Sequence, residues 1–209
     1  MTFHTEALSQ AQLAILPVLG RLASNSDFYL GGGTAVALHL GHRRSEDFDW
    51  LSPGKLEEPM SLAAEARSAG LHVENAQVAR GTLHAIVNDV QVSFFEYPYP
   101  LLSPVVNWSD CSLSLASLDD LGCMKLAAIA QRGSRKDFVD LYFIDKHTSL
   151  DRLLNLYKRK YSTEDTNHVL VGLSYFDDAE EEPPLDMLVE VAWDDVKRHF
   201  RKLVKRITG

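Results

Sequence analysis

The chain has 209 residues, 45% of them apolar and 24% charged, with a formal charge of −8. This length can bury a sizeable core as one domain or as a domain with a helical extension. No apolar run approaches the ~20 residues needed to cross a bilayer, no charged-then-apolar leader opens the sequence, and Cys111 and Cys123 lack the number and spacing of a disulfide scaffold. A soluble, cytoplasmic protein is expected, and its acidic balance argues against indiscriminate nucleic-acid binding.

Residues 5–24 predict an opening helix interrupted or ended near Pro17, with Leu13, Ile15 and Leu19 or Leu22 facing inward. A short apolar strand (Phe28, Tyr29, Leu30) leads into three glycines and Thr34, followed by a short helix over 35–40, a basic turn and a strand carrying Asp47 and Asp49. Successive glycines let a ligand approach the main chain closely. A helix start with free N–H groups favours an anion there, and Thr34 can add a hydroxyl. Strand alternation sends Asp47 and Asp49 to one face and Phe48 and Trp50 to the other. Adjacent carboxylates repel unless a cation sits between them, and Mg²⁺ takes oxygen ligands together with substrate phosphates. A phosphate cradle joined to an acid pair points to nucleotide phosphoryl chemistry. Each half alone is weak, since a glycine triplet is more often a turn and an Asp-x-Asp is common on exposed strands.

A helix over 59–69 ends at Gly70, and β-runs follow over 71–79, 82–87 and 90–97, with Asn88-Asp89 as a tight hairpin turn. In the last run Val90, Val92, Phe94 and Glu96 alternate onto one face. Glu96 is therefore a candidate third carboxylate; the alternative is an acid leaving the sheet into solvent. Residues 98–114, with Pro98, Pro100 and Pro104, read as an extended connection. Ser117 caps a helix to about Arg132 that carries Lys125, and Lys136-Asp137 opens the next helix after a basic turn. Lys125 alone reads as a solvated or snorkelling lysine, Asp137 as a first-turn acid favoured by the helix dipole, and Asp140 as structural. Helices are expected over 150–161, 167–176 and 193–207, the last one basic, with an acidic loop at 177–182 that has no calcium-site spacing.

The spacing Gly33-Thr34, twelve residues, Asp47-Phe48-Asp49 resembles the Gly-Ser/Thr to Asp-x-Asp signature of the polymerase-beta-like nucleotidyltransferases, and LGGGTAVALHLGHRRSEDFD resembles their AbiEii/AbiGii toxin branch. The likeness carries motifs over about 28–145 and weakens beyond. It implies an α/β fold, a nucleotidyltransferase core with a small mixed β-sheet over 1–115 and a helical C-terminal region over 116–209 packing on it. It implies two Mg²⁺ ions on Asp47 and Asp49, with Glu96 and Asp137 as further catalytic candidates. An NTP would be held by Gly32, Gly33, Thr34, Arg43, Arg44, Ser45 and Lys125, Lys125 neutralising its triphosphate. It further implies an RNA acceptor, notably tRNA, and a cognate antitoxin as partner. The alternative reading is a catalytically inactive nucleotide-binding or protein-interaction module with the same fold.

Overall fold

A computed structural model describes residues 3–209. Helix α1 (Gln10–Asn25) is closed at its start by a capping box between Ser9 and Gln12. It runs through Pro17, where the sequence suggested a break. The loss of one backbone donor is offset by a continuous buried stripe of Ile15, Leu16, Leu19 and Ala23 on both sides of the proline. Strand β1 (Tyr29–Leu30) feeds α2 (Gly32–Leu40). This helix begins at the glycines themselves, not at residue 35, with Gly31 as N-cap and Gly41 (φ +60°) ending it in the left-handed region.

Strand β2 (Asp47–Ser52) follows, then α3 (Pro59–Ser68), β3 (Val73–Ala79), β4 (Thr82–Val87) and β5 (Val90–Glu96). Asn88 and Asp89, at φ 45° and 66°, make the β4–β5 turn. The proline-bearing connection contains two strands that propensity does not reveal, β6 (Val106–Trp108) and β7 (Leu113–Leu115). Each is only three residues long and is stabilised by its partner strand instead of by its own pattern. The seven-stranded mixed sheet has the order β3-β4-β5-β2-β1-β7-β6. Its centre joins β2 to β5 in parallel and to β1 antiparallel, while β1 pairs with β7 in parallel.

Helices α4 (Leu118–Gln131), α5 (Arg135–Asp145), α6 (Leu150–Tyr161), α7 (Asn167–Gly172), α8 (Asp177–Glu180) and α9 (Trp193–Thr208) form the C-terminal half. Helix α4 packs on α5, α6 and α7, and α2 packs on α4 and α5, so the glycine-started helix is wedged between the sheet and the later helices. Phe48 and Trp50 are fully buried on the core face of β2, with Trp50 stacked on Phe94 at 6.3 Å between centroids. Among the described residues, no helix is long and apolar enough to cross a membrane.

Candidate active site

Asp47 and Asp49 emerge half-buried from β2 opposite its core face. The parallel register sets Asp47 beside Gln91 and Asp49 beside Ser93 on β5. The main chain at the start of α2 touches the second acid: Gly31 N–H donates to the Asp49 carbonyl at 2.8 Å, and a Cβ on Gly32 would lie 2.2 Å from Asp49 Oδ2. Gly32 also sits at φ +62°, where side chains are strained. The first bond within α2 runs from Ala35 N–H to the Gly31 carbonyl at 3.2 Å, which leaves the amides of residues 32–34 ahead of the helical ladder. We expect Gly32→Ala to displace the Asp49 carboxylate and lower transfer at least about a hundredfold, in line with the cost of small misplacements of reacting groups. Steady-state kinetics beside a thermal melt checks this, and near-wild-type turnover would show that the close approach is dispensable.

Burial, then the neighbouring Asp47, pushes the Asp49 carboxyl up to about 6, against the pull of Lys125, Lys136 and Arg132. An acid raised in this way is a site short of positive charge. The donor set fits Mg²⁺ completed by phosphate and water: two hard carboxylates side by side on one face of β2. Cation binding requires the ionised carboxyl. Nucleotide-free Mn²⁺ affinity, measured by calorimetry, should therefore hold steady above pH ~6 and fall about tenfold per unit below it. Affinity independent of pH from 5 to 7 would remove Asp49 from the ligand set.

Behind the pair lies a buried ionic network centred on α5. Asp140, fully buried, accepts from His42 Nε2 at 2.7 Å, from Arg43 Nε at 2.7 Å and Nη2 at 2.9 Å, and pairs with Lys125 Nζ at 2.6 Å. Asp137 accepts from Lys125 Nζ at 2.9 Å, Arg132 Nε at 2.9 Å and Ser134 Oγ at 2.7 Å. Burial opposes both carboxylates, but Arg43 and Lys125 hold Asp140 well below the ordinary range, and Lys125 and Arg132 lower Asp137. Burial likewise opposes the Lys125 ammonium, and Asp140 with Asp137 overcomes it to keep the lysine charged. Lys125 is buried and doubly paired, unlike the solvated lysine its local context alone suggests, and it lines the same cleft as Asp47 and Asp49, where the resemblance puts it.

Several expectations change in detail. Thr34 is buried, and its hydroxyl hydrogen-bonds to Ser45 Oγ at 2.8 Å and to the Asp47 carbonyl, tying α2 to the start of β2 and the turn before it, while Ser45 lines a cavity beside the acid pair. Arg43 is committed to Asp140, and its Nη2 would be 2.5 Å from a Cβ on Gly33. Arg44 is exposed and held at the rim by Asp186, its Nε 3.2 Å from Oδ2. Glu96 stands in register with Ser52, on the same side as Trp50 and Phe94 and opposite to the acid pair. Its carboxylate accepts from the Leu56 N–H at 2.7 Å, so it is not the third carboxylate; Ser93 occupies the strand position next to Asp49.

The structure adds two cations whose basic turn was visible in the sequence without their aim. Lys136 Nζ is 4.0 Å from Asp47 Oδ2 and Arg132 lines the same cleft, both substantially exposed. The cleft encloses about 740 Å³ between β2, β4 and β5 on one side and α4 and α6 on the other. Its far end is aromatic: Tyr97 Oη meets Tyr161 Oη at 2.6 Å, and Tyr99 packs edge-on against Tyr161 at 4.7 Å. A second cavity of about 350 Å³ shares Gly32, Asp47, Asp49 and Lys136 with it and is closed by the segment 182–186. The acid pair thus stands where a charged chamber opens into an aromatic one.

A family model described as nucleotidyl transferase AbiEii toxin, type IV TA system, matches residues 15–206. An uncharacterized protein of Aquifex aeolicus (strain VF5) is 38% identical over 201 residues, spanning 95% of this chain and 96% of that protein. MenT4, a nucleotidyltransferase toxin from Mycobacterium tuberculosis H37Rv, shares the fold at a TM-score of 0.61 with 16% identity, over 92% of this chain and 83% of its own. JHP933 from Helicobacter pylori does so at 0.57 with 19% identity, over 96% and 93%.

Proposed function

The chain belongs to the AbiEii nucleotidyltransferase toxin family, and from that premise we propose that it is a Mg²⁺-dependent enzyme transferring a nucleoside monophosphate from an NTP to an RNA acceptor such as tRNA. The observation that carries the reading is the direct packing of Asp49 against the glycine start of α2, with Asp47 beside it. Residues 1–115 supply this catalytic core and 116–209 the helical wall that faces it.

Asp47 and Asp49 would hold the metal, which when bound neutralises phosphate charge and lowers the pKa of a coordinated hydroxyl. The amides of residues 32–34 receive phosphate oxygens at the positive end of α2. Lys136 and Arg132 face the same space and pair with the remaining phosphate charge. Lys125 acts one step back: with Asp137 it fixes Arg132, and through Asp140 it is joined to Arg43 behind Gly33. The aromatic end of the cleft offers flat faces for a nucleobase. Most of the rate enhancement then comes from positioning and charge complementarity built before substrate arrives. As a toxin of a toxin–antitoxin pair, the chain would have its activity opposed by a cognate antitoxin.

The test is incubation with Mg²⁺, each α-labelled NTP in turn and total tRNA, with recovery of labelled RNA as the positive result. Ser93 in place of a third acid favours one second reading, a nucleotide-binding module without turnover. Calorimetric binding of NTP with no label transferred to any RNA would select it.

A further inference from the structure

Ser93 is not isolated at the third-acid position. It pairs across the antiparallel β4–β5 ladder with His84, and His84 Nδ1 lies 2.9 Å from Ser93 Oγ. Both residues line the same cleft as Asp47 and Asp49. The imidazole is steadied from a second side by Phe95, edge-on at 5.4 Å and 78°. Neighbouring strands are about 4.8 Å apart, so on the cleft face of the sheet Ser93 sits one strand from Asp49 and His84 two strands, about 10 Å across, within reach of an acceptor that spans the cleft. With Glu96 on the opposite face, none of the described residues supplies a third carboxylate next to the pair.

We infer that His84, oriented by Ser93, is the general base that activates the acceptor hydroxyl, a task for which a neutral imidazole is well suited. The role requires the tautomer in which Nδ1–H donates to Ser93 Oγ, which leaves the Nε2 lone pair free to take a proton. In the transfer step the acceptor O–H proton passes to His84 Nε2. The acceptor oxygen forms its bond to the α-phosphorus as the bond from that phosphorus to the bridging oxygen breaks, and pyrophosphate leaves with the electron pair. His84 is then the catalytic residue and Ser93 a positioning residue. This rests on the transferase reading above and adds the group that takes the proton.

The experiment compares wild type, His84→Gln, His84→Ala and Ser93→Ala in the labelled-NTP assay with Mg²⁺ and total tRNA, alongside calorimetric NTP binding and thermal melts. The expected result is a loss of about a hundredfold in kcat for both His84 variants, within the range for general base catalysis, with NTP affinity unchanged. Ser93→Ala should lose less, and added imidazole should restore part of the His84→Ala rate in a saturable way. Imidazole rescue keeps the test decisive even if a variant melts lower. An active wild type with an equally active His84→Gln, or no rescue of His84→Ala, would overturn the assignment of His84 alone. A wild type that labels no RNA with any NTP would overturn the transferase reading and this role with it.

Discussion

Asp49→Asn is expected to abolish nucleotide transfer, by at least about a thousandfold, and to make the metal-free protein more stable near pH 7.5. The first effect follows from removing one of the two carboxylates proposed to hold the metal, since electrostatic groups aimed at developing charge contribute factors of this size. The second follows from the raised acidity constant. A carboxyl lifted from 3.8 to about 6 in the folded state contributes stability that is complete below its unfolded value and lost as pH rises through about 6. At pH 7.5 the metal-free wild type has lost all of it, whereas asparagine carries no charge to desolvate. Two units correspond to roughly 3 kcal/mol, discounted to about 2 kcal/mol because the side chain is partly exposed. For a chain of this size that is a rise of roughly 4–8 °C in Tm. Scanning calorimetry without metal at pH 7.5 and at pH 4.5 checks it, the gap shrinking at the lower pH. A variant less stable than wild type at both would mean that Asp49 is a structural acid. Saturating Mn²⁺ should raise the Tm of wild type and leave the variant little changed.

Asp140→Ala is expected to be the most destabilising single change near the site, at about 3–5 kcal/mol. It strands the buried Arg43 guanidinium, leaves Lys125 with Asp137 alone, and removes the partner of His42. A fall of roughly 10 °C in Tm or more should follow. Replacing a whole buried pair with apolar groups is often tolerated; removing one partner is not. The pH dependence has a defined sign. Asp140 is held well below 3.8, so its contribution is present above that value and is lost as pH falls through the lower, folded one. Urea melts should give a gap between wild type and Asp140→Asn that is constant from pH 8 to about 5 and narrows in stronger acid. An Asp140→Ala protein within about 1 kcal/mol of wild type would show the network to be solvated and weak.

How much of this was legible beforehand depends on whether the information is local. Three glycines before a short apolar helix, followed by Asp-x-Asp, placed the glycine turn and the acid pair on one strand face, because glycine permissiveness and strand alternation act within a few residues. Helix α6 matches its sequence pattern at both ends, since its amphipathic stripe is long and its last turn basic. The partners of these elements were not legible. Glu96 shares a strand with Ser93, and only the parallel register with β2, some forty residues away, decides which of the two meets Asp49. Thr34 carries the hydroxyl a phosphate loop would use, yet Ser45 and the Asp47 carbonyl reach it first. Strands β6 and β7 lie among prolines and are too short to show a period. Lys136 and Arg132 were visible as a basic turn, but the packing of α4 on α5 is what brings Lys136 to Asp47 and Arg132, held by Asp137, into the same cleft.

The most direct measurement of the central claim is anomalous scattering from a crystal of the wild-type protein grown with Mn²⁺ and a non-hydrolysable NTP. The predicted result is Mn²⁺ held by both Asp47 and Asp49, with the triphosphate against the amides of residues 32–34 and the base toward Tyr97 and Tyr161. Mn²⁺ bound away from the two acids, or a triphosphate lodged in another cavity, would contradict it.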